Sequence, residues 1–218
     1  MFDQAAIFIF SIIVLIFSAI IHEVSHGFSA KVQGDSTAEA AGRLTLNPLP
    51  HIDMFGSVIL PILLAIPVFF GMSGVIIGWA KPVPFNPNNL KNKRWGPALV
   101  AIAGPAANIF VALTFGTLLR FFGAFPGLPL ALVNFLAVIV WINLLLAIFN
   151  LTPIPPLDGS KILFSFFPPT WSAVRRLEYW LEQYGFALIL IFVFFGFNLI
   201  LPIIYALFGL FTGGAAGF

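Results

Sequence analysis

The chain has 218 residues, 60% hydrophobic and 8% charged, with a formal charge of +2 and no cysteine. A soluble domain carries roughly 25% charged residues, so this chain cannot cover its own surface with charge and is read as an integral membrane protein. Its basic residues serve orientation rather than nucleic-acid binding, and the lack of cysteine removes disulfides, thiolate ligands and thiol nucleophiles.

A spanning helix needs about 20 mostly apolar residues. The first run, 5–30, meets that length and no Lys or Arg precedes Lys31. It is too long for a signal-peptide core of about 7–15 residues, so it reads as a retained helix. A polar segment, 31–55, follows. The next apolar run, 56–79, contains Pro61, Pro67, Gly71, Gly74 and Gly78, punctuation that suits a re-entrant segment buried in protein better than a straight span. The stretch "AKPVPFNPNNLKNKRWGP", 80–97, is too rich in proline for a helix and predicts short extended strands and turns. Runs 97–122, 129–150 and 184–211 each reach spanning length, the last with an expected kink at Pro202. The tail "TGGAAGF" is expected to fray. The fold expected is an all-α membrane protein. It is a polytopic bundle of four to five transmembrane helices, with a re-entrant segment and short β strands at the cytoplasmic face. The whole chain, 1–218, reads as one domain, with a core over about 5–166 and a C-terminal membrane helix over 184–211.

The basic residues decide between two topologies. If 56–79 crosses, they divide seven to three between the two sides; if it dips in and returns, they divide nine to one, with only Arg120 opposed. The positive-inside rule favours the second arrangement. It puts 31–96 and 151–183 at the cytoplasmic face.

Ionisable groups inside a membrane run are costly and mark function, yet "HEVSH" closes the first run with His22, Glu23 and His26. Positions i and i+4 share a helix face, so the two imidazoles can meet one ion while Glu23 stands beside it as a base. This is the HExxH pattern of zinc hydrolases. A catalytic zinc takes about three protein ligands and leaves a position for water. Asp158, in "NLTPIPPLDGSKIL" (150–163), is the candidate third ligand; the other reading is an aspartate that caps a turn or helix. His22 lies about 26 Å along the first helix from Ala5, at 1.5 Å per residue. That places it in the inner half of the bilayer, where the nine-to-one topology also delivers Asp158. Asn108 either bonds across to the metal-bearing helix or lines helix packing, and also stands as a candidate for substrate contact. His51 is a candidate pocket residue or a plain loop residue. Asn143 and Asn198 read as helix-packing groups.

Taken in order, "HEVSH", "GRLTLNPLPHID" (42–53), "GWAKPVPFNP" (78–87), "AGPAAN" (103–108) and "NLTPIPPLDG" (150–159) resemble the site-2 protease family of intramembrane zinc metalloproteases, in a compact prokaryotic form. The matching motifs lie between residues 18 and 163. The resemblance implies one zinc ion held by His22, His26 and Asp158, with Glu23 as base and Asn150 holding substrate or oxyanion. It implies a multi-pass protein of a prokaryotic cell membrane, with the site near the cytoplasmic side. The expected partners are the lipid bilayer and a transmembrane protein or peptide, cut within or near its membrane segment. Family elaborations such as a periplasmic PDZ insertion, a cytoplasmic nucleotide-sensing module and a helix before the HExxH helix are not evident, so a minimal core is expected. The rival readings are a metal-ion transporter using the same ligands and an inactive scaffold of the same fold.

Overall fold

A computed structural model of the chain describes residues 4–59, 62, 63, 66, 79–123, 129–168 and 170–214. Among the described residues, four helical stretches are long and apolar enough to cross a membrane. Helix α1 is Gln4–Val32, α2 is Gly96–Gly123 and α3 is Leu130–Asn150. After the short α4, Asp158–Ser165, and α5, Ser172–Gln183, the fourth stretch begins. It consists of α6 (Gly185–Ile191), a π-helical turn (Phe192–Gly196) and α7 (Phe197–Thr212). Each boundary lies within three residues of the apolar run that predicted it. Large apolar side chains such as Phe8, Ile9, Phe110 and Phe195 are exposed on these helices, as a lipid-facing surface requires. The chain is a multi-pass membrane protein.

Backbone hydrogen bonds among the described residues place the end of α1 beside the start of α2. Lys91 N–H donates to Gln33 O at 2.9 Å, and Ser29 Oγ donates to Leu99 O at 3.0 Å. The two helices are therefore antiparallel, and the segment between them leaves and returns at one end of the bundle. Most of the expected re-entrant stretch, including all of 67–78, lies outside the described residues. Gly34 ends α1 with a φ of +103°, a left-handed conformation that glycine adopts without Cβ strain, and its N–H donates to Lys31 O at 2.9 Å.

One expectation needs correction. Among the described residues there is no β strand. The segment over 79–86 has no regular secondary structure, and its donors are spent elsewhere. Pro82, Pro84 and Pro87 have no N–H, while Lys81, Val83 and Asn86 donate to His51 O, Glu23 Oε2 and Asp35 Oδ2 at 2.9, 2.7 and 2.6 Å. A ladder needs repeated donors along one edge, and this segment lacks them. Pro202, where a kink is expected, lies inside α7, and a π-helical turn at Phe192–Gly196 precedes that helix in the last span.

The core of the bundle joins α2, α3 and α7. Leu119, Leu136, Val140, Leu144, Ile204 and Phe208 are buried together there. Trp141 of α3 stacks against Tyr205 and Phe208, with centroids 5.0 and 5.9 Å apart.

Candidate active site

Helix α1 presents Ser18, His22, His26 and Ala30 at intervals of four, one face of a helix, and all four are buried. The facing stripe of α2 is Ala101, Gly104, Pro105 and Asn108, also buried. Small residues let the two helices approach closely. At Gly104 the approach is strict: a Cβ there would lie 2.6 Å from Nε2 of both His22 and His26. Only glycine keeps the space in front of the two imidazoles open.

Each imidazole is held by its other nitrogen. His22 Nδ1 is 2.6 Å from Asn108 Oδ1, and His26 Nδ1 is 2.7 Å from the Val100 carbonyl oxygen. The Asn108 amide is oriented in turn, because its Nδ2 donates to Ser18 O at 3.1 Å and to Asn143 Oδ1 at 2.9 Å. Asn143 Nδ2 closes the network on Ser18 Oγ at 2.9 Å. Carbonyl oxygens only accept, so both histidines carry their proton on Nδ1 and turn a lone pair outward from Nε2.

Those two lone pairs meet the carboxylate of Asp158, 136 residues further on. Its Oδ2 is 3.0 Å from His22 Nε2 and 3.2 Å from His26 Nε2. With Nδ1 protonated on both rings, three acceptor atoms converge there, a set that a shared cation, either a proton or a metal ion, holds together. A tetrahedral zinc with donors at about 2.0–2.1 Å spaces them about 3.3 Å apart, so the residues fit that ion. Glu23 is the fourth group at the cluster. One carboxylate oxygen and one nitrogen from each of His22 and His26 lie within 4.8 Å of one another.

These groups open on a cavity of about 150 Å³, walled also by Asn150, Lys161, Pro82 and Val83. That is room for a few water molecules. The Lys161 ammonium lies 3.6 Å from Asp158 Oδ1, one helical turn along α4. Asn150 Nδ2 donates to Leu146 O at 2.9 Å, which leaves a second amide hydrogen on the same nitrogen. Val83 sits over Glu23, and the segment that carries it is fastened at Asp35. That buried carboxylate accepts from Thr37, from Asn86 N–H and from Asn89 Nδ2. Burial works against its charge, but the hydrogen bonds from Thr37, Asn86 and Asn89 outweigh it and hold the carboxyl below its usual range.

The structure thus brings His22, Glu23, His26, Asn150 and Asp158 to one cavity. Asn108 lies behind His22, fully buried with its amide engaged, and has no surface to offer a substrate. His51 is not at the cavity; it is buried at the end of the 3-10 turn Leu49–His51, with Nε2 3.0 Å from Thr45 O. Asn198, expected at a helix contact, is exposed. Sequence reasoning passed over Lys161, the Val100 carbonyl and the Val83 N–H, and read Asn143 as packing alone. Asn143 and Asn108 did carry a signal, as amides inside apolar runs. The backbone groups carried none.

A model of peptidase family M50 matches residues 127–192. The Bacillus subtilis (strain 168) protein named "Putative zinc metalloprotease YwhC" is 38% identical over 185 residues, which are 83% of this chain and 78% of that protein. The Mycolicibacterium smegmatis protein "Putative zinc metalloprotease Rip2" is 29% identical over 190 residues, 87% of this chain and 68% of its own. A Methanocaldococcus jannaschii protein, "Putative zinc metalloprotease MJ0611", is 40% identical over 75 residues, 34% of this chain and 37% of that protein. No solved structure matches the chain significantly. Similarity of this extent to YwhC makes the chain a member of peptidase family M50, the site-2 protease family.

Proposed function

We propose that the chain is an intramembrane zinc metalloprotease that hydrolyses peptide bonds within or near the transmembrane segments of other membrane proteins. The observation that carries this reading is the convergence of His22 Nε2 and His26 Nε2 on Asp158 Oδ2, at 3.0 and 3.2 Å, at a cavity that Glu23 also lines. His22, His26 and Asp158 would hold one zinc ion. Bound there, zinc supplies a Lewis acid that lowers the pKa of water to about 7 and polarises a peptide carbonyl.

The rest of the chemistry belongs to the chain. Glu23 accepts the proton of the attacking water and passes it to the leaving amine. The Val83 N–H, 2.7 Å from Glu23 Oε2, fixes the carboxylate's direction and leaves lone pairs for the water. Asn150 offers its second amide hydrogen to the substrate backbone or the developing oxyanion. The Asn108–Asn143–Ser18 network holds His22 in the tautomer the ion needs. A helical substrate hides its carbonyls in its own hydrogen bonds, so it must unwind to be cut. A cavity of about 150 Å³ holds water but not an extended peptide, so it must widen when substrate enters. The site faces the cytoplasm, on the nine-to-one division of basic residues.

The test is Glu23→Gln. Gln is nearly isosteric and cannot act as a base, so the variant keeps its zinc and its fold and loses cleavage. Terminal-fragment proteomics of membranes from cells making either protein reads the difference. Equal fragment yields from wild type and Glu23→Gln would sink the proposal.

A further inference from the structure

Helix α5 has no part in the site, and none of its residues is buried. At 100° per residue, Ala173, Val174, Leu177, Trp180 and Leu181 fall within one arc of about 120°. Arg175, Arg176, Glu178, Glu182 and Gln183 fall outside it. Leu177 and Trp180, at the centre and edge of the apolar arc, are 53% and 58% exposed. In water such a face would be a liability.

The position of the helix identifies what covers it. Only Tyr184 separates α5 from Gly185, the first residue of the last membrane span. The helix is thus tethered at the membrane boundary. Its 12 residues span about 18 Å, too short to cross a core about 30 Å thick. The apolar arc also runs on into the span. Leu181 and, from the span, Leu188, Ile191 and Phe195 line one apolar groove of about 400 Å³, closed by Pro153 and Pro155. Trp180 and Tyr184 stack with ring centroids 4.6 Å apart, and aromatic rings of this kind collect where headgroups meet acyl chains.

We propose that α5 is an interfacial helix whose apolar face is seated among lipid acyl chains, with the groove at Leu181 filled by lipid. This rests on the chain being a membrane protein and not on its being a protease. The charges specify the lipid chemistry. Two arginines and two glutamates cancel, and Arg175 is paired with Glu178. Seating therefore comes from apolar burial and does not depend on anionic headgroups.

The chain has no cysteine, so single cysteines can be placed and spin-labelled in the full-length protein in nanodiscs. Val174→Cys, Leu177→Cys and Leu181→Cys report the apolar arc; Arg176→Cys, Glu182→Cys and Gln183→Cys report the other. Collision with oxygen, which concentrates in lipid, is compared with collision with a water-soluble nickel chelate. The expected result is an oxygen-to-nickel ratio high on the first arc and low on the second, the same in neutral and anionic nanodiscs. Equal ratios on both arcs would overturn the proposal. Protection of the apolar arc from both reagents would also overturn it, because residues 60–78 or a second copy would then cover the face. A pattern that appears only in anionic nanodiscs would refute the apolar mode of seating.

Discussion

The two halves of this bundle bury side chains in different ways. Around α1, the buried groups include Ser18, His22, Asn108 and Asn143, joined by hydrogen bonds of 2.6–3.1 Å, with buried His26 and Asp158 beside them. Where α7 meets α2 and α3, the contact is made by Leu119, Val140, Leu144, Ile204 and Phe208. In a low-dielectric interior an unpaired polar group is costly, and a fully satisfied network holds one geometry. Apolar packing specifies shape and tolerates small losses. The first half is therefore built for position, and the second for cohesion.

The largest expected effect is at the ligand set. Asp158→Ala removes one of three protein donors, the minimum for a catalytic zinc, and Gly104→Ala puts a methyl group 2.6 Å from both Nε2 atoms. Both variants are expected to lose zinc, read by metal analysis of the purified protein. Stoichiometric, tightly held zinc in Asp158→Ala would remove it from the ligand list. A smaller loss is expected one step back. Asn108→Ala leaves His22 Nδ1 without its acceptor, and such changes weaken metal affinity about 10- to 100-fold; competition with a chelator measures it.

The other half should respond in the opposite sense. Ile204→Ala opens a cavity in the apolar contact and costs about 2–5 kcal/mol of stability. Its zinc affinity should match the wild type, and a shared drop would show that the two halves are not separable.

The smallest effect concerns Asp35, which ties the segment over Glu23. Its folded pKa is depressed, so its contribution is present above the unfolded value, about 3.9, and is lost as pH falls through the folded value. Wild type should lose thermal stability below about pH 4 relative to neutral pH, and Asp35→Asn should lose less over the same range. Parallel curves would mean that Asp35 is not the acid-sensitive tie.

Much of this protein is local, and what is local is legible in the sequence. A run of about 20 apolar residues is a span because hydrocarbon leaves the backbone no other partner. His22 and His26 share a face because the helix repeat puts i and i+4 together. The family motifs likewise stand in short stretches. Pairings between distant segments were settled by tertiary structure. Asn108 meets His22 across 86 residues and Asp158 meets it across 136, and no periodicity encodes that choice. The prolines of 80–86 correctly excluded an α-helix there. Whether such a chain becomes a strand depends on where its few donors go, and Lys81, Val83 and Asn86 found His51, Glu23 and Asp35 instead of a neighbouring strand. Val83 acts through a backbone N–H, which every residue but proline possesses. Only the fold could decide that this one points at the base.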